Sequence, residues 1–170
     1  MPFALLPVSG GTALTQQKGE AMLRAVKKWA ALVLCLMAGG TLASEPVKIG
    51  LITALSGQSA QAGESITRGL QVAIDEINAA GGVLDGRPLM LVRRDDEANP
   101  AKGVVAAREL IHKEKVAVLF GGLDTPVSMA IVPLVNQAKM PFVGPWAAGT
   151  PITKNGANPN FVFRVSAMDE

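Results

Sequence analysis

The chain has 170 residues, one domain's worth, and its 49% hydrophobic and 18% charged residues exclude a disordered polar chain. Aromatic residues are 4% with no Tyr, which argues against a base-stacking nucleic-acid surface, and one Cys and one His exclude an internal disulfide and a His-rich metal site. The formal charge of +2 is unevenly placed: Lys18, Arg24, Lys27 and Lys28 face only Glu20 in residues 1–43, and the remainder is slightly acidic, so no polyanion partner is implied.

Residues 1–21 show no periodic pattern and read as an extension ahead of a true start at Met22. Residues 22–43 have the three parts of a secretory signal peptide: Arg24, Lys27 and Lys28, then the apolar run Trp29–Ala38, then the small residues Gly39 to Ala43. That run is about half of the ~20 residues that a membrane span needs. Cleavage after Ala43 would discard Cys35, and a Cys-free remainder suits an oxidising compartment, the periplasm.

From Glu45 onward, strand and helix signals alternate. Val47–Ile52 is β-rich, and Glu64–Ala80 reads as a helix with Ile66, Gly69, Leu70, Ala73, Ile74 and Ile77 on one face, stopped by Gly81 and Gly82. Asp85-Gly86 is a turn signal before a strand at Pro88–Arg94. Asn99-Pro100 caps and opens a helix that runs to about Lys113. A strand at Val116–Phe120, a helix at Thr125–Ala138 with Met129, Ile131 and Leu134 in the core, and strands at Pro141–Val143 and Phe161–Val165 complete the pattern. Such alternation predicts an α/β fold, a mostly parallel sheet with helices on both faces. Ligands in such sheets bind beyond the carboxyl ends of the strands, at the switch point in strand order. That directs attention to the loops Thr53–Gly63, Gly121–Thr125 and Gly144–Thr150, all rich in small residues that let a ligand reach the backbone.

Catalytic constellations are missing. No G-x-S-x-G elbow, dinucleotide fingerprint or phosphate loop occurs, so no cofactor is implied. Asp95-Asp96-Glu97 reads as a solvated strand end leading into the Asn99 cap, with a magnesium site as the alternative. His112 reads as a surface residue. Trp146, in the loop Pro145–Thr150, has two readings: a cap on the edge of the core, or an apolar wall of a ligand cleft.

The segment from Val47 to Ile111 resembles the amino-terminal lobe of the branched-chain amino-acid binding proteins of ABC importers. The residues that carry the resemblance are Leu55-Ser56-Gly57, Gly63, the helix with Gly69, Ile77-Asn78-Ala79-Ala80-Gly81-Gly82, Asp95-Asp96 with Pro100, and Gly121 after the third strand. The resemblance extends to Glu170 and implies a type I periplasmic binding fold, in which two α/β lobes close on a small solute. It implies residues 44–170 as one lobe, with the second lobe missing from this chain. It also implies that the family's carboxylate-receiving hydroxyl falls on Thr125. The family's small-x-Thr contact falls on Trp146-Ala147-Ala148, with Ala148 in place of the hydroxyl and Thr150 two residues on as a substitute. Ala62 stands where an aromatic often precedes the Gly of the first loop, and Ala98 and Asp124 stand where some members carry a Cys pair. These departures leave a different amino acid, an amide or an aromatic acid as open as leucine, isoleucine or valine. The implied partners are a small-molecule ligand and an inner-membrane ABC permease, without nucleic acid, metal or catalysis. The alternatives are a ligand-sensing domain of a receptor or regulator of the same fold, and an α/β enzyme.

Overall fold

The computed structural model describes residues 44–169. The expected extension at 1–21, the expected signal peptide at 22–43 and Cys35 lie outside the described residues. Five strands form one sheet: β1 (Val47–Thr53), β2 (Leu89–Asp95), β3 (Val118–Gly121), β4 (Phe142–Gly144) and β5 (Val162–Arg164). They lie in the order β2-β1-β3-β4-β5, and every pairing is parallel. Helix α1 (Ala60–Ala79) joins β1 to β2, α2 (Pro100–Arg108) joins β2 to β3, and α3 (Thr125–Ala138) joins β3 to β4. The last turn of α2 loosens into a π turn at Glu109–Lys113, and a short 3-10 turn at Thr150–Ile152 precedes β5. The chain steps one way from β1 to β2 and the other way from β2 to β3, so right-handed crossovers place α1 on one face and α2 with α3 on the other.

The main core lies on the α2–α3 face. Ile52, Leu119, Phe142 and Val162 point into it from four strands and meet Ala107, Leu110, Val127, Ile131 and Val135. Asn99 caps α2 as its sequence suggests, accepting from the amides of Ala101 and Lys102. At the sheet edge, Arg94 of β2 donates to both Glu109 and Glu114, and Lys48 of β1 donates to Glu114. The hydrogen bonds from Arg94 and Lys113 pull the Glu109 carboxyl down to about 2. This network fastens the π turn to β1 and β2. Among the described residues no helix is long and apolar enough to cross a membrane.

Helix α1 departs from the periodicity reading. It begins at Ala60, four residues before Glu64, and its buried seam is Gly63, Thr67 and Ile74, with Ile66, Leu70 and Asn78 half-buried. Gly69, Ala73 and Ile77 are exposed, and Ile77 keeps 38% of its surface. The seam is displaced because two polar residues satisfy themselves on it. The Thr67 hydroxyl donates to the Gly63 carbonyl, and Asn78 bonds both the N–H and the carbonyl of Leu89, tying the helix end to the start of β2. A Cβ on Gly63 would sit 1.9 Å from the Ala54 carbonyl oxygen, so only glycine admits this contact between α1 and the end of β1. Replacing Ile74 by Ala should cost about 2–5 kcal/mol in denaturant unfolding. Ile77→Ala and Gln71→Ala should cost little, and equal losses at all three would place the seam elsewhere.

Helix α3 keeps the expected bounds, but Met129 is exposed rather than core, while Ile131 is fully buried and Leu134 is half-buried. Met129 lies off the buried stripe of α3, which is made by Val127, Ser128, Ile131, Val132 and Val135. His112 is exposed, as its sequence context suggests.

Candidate functional site

Strand β1 has β2 on one side and β3 on the other, so the order reverses between β1 and β3. The loops that follow β1, β3 and β4 leave the carboxyl ends of three neighbouring strands around this point. Each is held by a specific contact. After β1, the Leu55 N–H donates to Asp95 Oδ1 at 2.9 Å, which locks the first loop to the end of β2. After β3, the Gly122 N–H donates to the Ile52 carbonyl, and Gly122 has φ +75°. A Cβ on Gly122 would lie 1.7 Å from Ser128 Oγ, so the first turn of α3 rests directly on this loop.

Thr125 is the first residue of α3, half-buried, and is followed by Pro126, which has no N–H. Asp124 occupies the cap position with extended backbone, yet its side chain makes no capping bond. Among the described residues the amide of Thr125 has no acceptor, while Val127 is fully buried, so what this helix end offers is the Thr125 amide and hydroxyl and its positive dipole. After β4, Gly149 meets Thr125: a Cβ there would fall 2.4 Å from Thr125 Cγ2 and 3.2 Å from its Oγ1. The structure thus brings together the loops after β3 and β4, with the Thr125 hydroxyl between them.

The rest of the Trp146–Thr150 segment is fastened to the chain beyond β5. Ala147 is buried and its carbonyl accepts from Ser166 Oγ at 2.8 Å. The carbonyls of Ala148 and Gly149 accept from the Arg164 guanidinium, and Ala148 also accepts from the Asp169 N–H. The Thr150 hydroxyl donates to the Asp169 carbonyl. What Ala147 and Ala148 can offer a ligand is therefore their N–H groups, which have no acceptor among the described residues. Trp146 is 58% exposed, so it does not cap the core; its ring stands free at the carboxyl end of the sheet. Ala62 is half-buried in the first turn of α1, on the opposite face of the sheet from Thr125.

The acidic triplet is not a solvated strand end. Burial works against ionisation of Asp95, but hydrogen bonds from the Ser56 hydroxyl and the Leu55 and Glu97 amides, with Lys102 nearby, keep its carboxyl below the ordinary range. Asp96 is only 1% exposed and its carboxyl is pushed up, first by burial and then by the charge of Asp124. Neither role was visible in sequence, where three adjacent acids look alike. Arg164 and Gly149 were equally silent, because their partners lie 15 and 24 residues away. Among the described residues no group of three His, Cys, Asp or Glu could hold a metal ion. A cavity of about 360 Å³ lies between β2 and α2, beside Arg94, Lys102 and Val105, and another of about 430 Å³ lies at the amino ends of the strands, beside Lys48, Arg87 and Lys115. Both are apart from Thr125.

The model of the periplasmic binding protein family matches residues 46–169. A Leu/Ile/Val-binding protein homolog 7 from Brucella melitensis is 36% identical over 124 residues, covering 73% of this chain and 31% of that protein. Among solved structures, the branched-chain amino acid transporter substrate binding protein LivJ from Streptococcus pneumoniae, in complex with isoleucine, superposes with a TM-score of 0.66 at 29% identity, over 73% of this chain and 34% of that one. A solute binding protein of an ABC transporter from R. palustris, in complex with benzoate, gives a TM-score of 0.63 at 37% identity, over 72% and 33%. The chain spans about a third of the length of these relatives.

Proposed function

The chain belongs to the periplasmic binding protein family, and from that membership we propose that residues 44–170 are the amino-terminal lobe of an exported solute-binding protein serving an ABC importer. In this reading residues 22–43 are the signal peptide that delivers it to the periplasm, and an inner-membrane permease receives the solute. The observation that carries the proposal is the uncapped start of α3 set against Gly149, at the switch point of the sheet. The Thr125 hydroxyl and its free amide lie there together, donors of the kind that a carboxylate needs. The two solutes seen in the related structures, isoleucine and benzoate, differ in almost everything except that group. Ala147 and Ala148 would add N–H groups from the loop after β4, and Trp146 would supply an apolar wall for the rest of the solute. Thr150 and Ala62 would lie at the margins of the same cleft.

A single lobe offers half of such a cleft, so the test uses this lobe joined to a second lobe of the relatives' length. Calorimetric titration should detect binding of isoleucine or of benzoate, and no binding of the matching primary amide. An amide that binds as well as its acid would remove the carboxylate from the proposal.

A further inference from the structure

Three successive carbonyls of the loop after β4 are turned toward the chain at and beyond β5. That of Ala147 accepts from Ser166 Oγ at 2.8 Å, that of Ala148 from Arg164 Nη1 and the Asp169 N–H, and that of Gly149 from the same Nη1 at 3.0 Å. In a trans peptide the carbonyl and the N–H that follows it point in opposite directions. The amides of Ala148 and Gly149 therefore point away from β5. The neighbour of β4 on that other side is β3, whose loop leads to Thr125, and Gly149 packs against Thr125. Ala148 is half-buried between the buried Ala147 and Gly149, so its N–H is the one most open to a solute. No carboxylate pairs with Arg164 among the described residues, so its charge is met by the two carbonyls alone.

We propose that Arg164 and Ser166 are positioning residues, which latch the carbonyls of Ala147, Ala148 and Gly149 toward β5 so that the loop meets a carboxylate solute with its amides. A peptide plane that turned over would put a carbonyl oxygen where the N–H stood and repel the anion. Arg164 has the larger share, because one guanidinium nitrogen fixes two successive planes. It also sets an unneutralised positive charge behind the loop, which favours an anion in front of it. Ser166 fixes the plane that carries the Ala148 N–H. The positioning role rests on the carboxylate reading of the site, and the latch itself does not.

The latch is tested without a solute. Trp146 directly precedes the latched carbonyls, and in the 170-residue chain carrying Trp29→Phe it is the single Trp. Its fluorescence anisotropy should fall in Arg164→Met, which keeps an apolar stem and removes the guanidinium, and the midpoint of urea unfolding shows that the variant is folded. Unchanged anisotropy in folded Arg164→Met would overturn the latch. Should that variant fail to fold, Ser166→Ala beyond the last strand is read by the same criterion. In the two-lobe protein, Arg164→Met should weaken binding of isoleucine or benzoate about tenfold, the effect of losing one charge-assisted hydrogen bond. Arg164→Lys restores a cation that can donate to the same carbonyls and should recover most of that loss. Equal affinity in Arg164→Met and the parent, or a Lys no better than the Met, would overturn the positioning role. NMR of the parent gives a reading that needs no variant: the Ala148 amide should shift on titration with benzoate, and an unmoved amide at saturation would equally overturn it. If the parent binds neither carboxylate, the carboxylate reading of the site and the positioning role fall together, and the anisotropy still judges the latch.

Discussion

Phe142→Ala should destabilise the domain by about 3–5 kcal/mol, while Phe163→Ala should cost only a few tenths. Phe142 is fully buried on β4, flanked in register by Leu119 of β3 and Val162 of β5, and packed beneath α3. Removing its ring forfeits the apolar area and leaves a cavity that three strands and a helix cannot close, because the sheet hydrogen bonds fix their spacing. Phe163 sits one row along on β5 and points to the opposite face, where it is 56% exposed. Typical domains have about 5–15 kcal/mol of total stability, so the first change should approach global unfolding and the second should be barely measurable. The midpoint of urea unfolding decides between them. Comparable losses would mean that the core is shared by both faces of β4 and β5, contrary to the burial described above.

The second large effect concerns binding. In the two-lobe protein, Thr125→Ala should weaken binding of the carboxylate solute by roughly ten- to a hundredfold, since a hydrogen bond to a charged group contributes about 1.5–3 kcal/mol and each ~1.4 kcal/mol is a factor of ten. Thr125→Ser keeps the hydroxyl at the same helix position and should retain most of the affinity. The contact of Thr125 with Gly149 bears on the comparison, because Ala removes the Cγ2 methyl that Gly149 accommodates as well as the hydroxyl. Ser removes the methyl alone, so the pair separates packing from hydrogen bonding. Calorimetric titration of both variants against isoleucine and benzoate is the measurement. An unchanged affinity in Thr125→Ala would move the carboxylate site away from the start of α3.

The sequence by itself determined the alternation of strands and helices, the parallel α/β class, the Asn99 cap, the bounds of α3 and the family. All of these rest on signals carried within a few residues: an apolar period, a Gly pair after a helix, a cap before a Pro, a string of family residues. The resemblance also singled out Thr125, and the fold places it at the start of a helix beside the switch point. Only the tertiary structure decided which side of α1 is buried. Periodicity locates an apolar stripe but not its cover, and polar Thr67 displaced Ile77 from the seam because its hydroxyl found the Gly63 carbonyl. Trp146 could have capped the core or stood free, and the placement of β5 and Arg164 against its loop left it exposed. Asp95 and Asp96 are adjacent in sequence and opposite in character. One end of β2 sends the first carboxyl to the amides of the neighbouring loop and the second into the packed space between α2 and α3, where burial favours the neutral acid. That difference depends on β1 lying beside the end of β2 and on α2 packing over it, an arrangement set by sheet order and by tertiary contacts to which local sequence is blind.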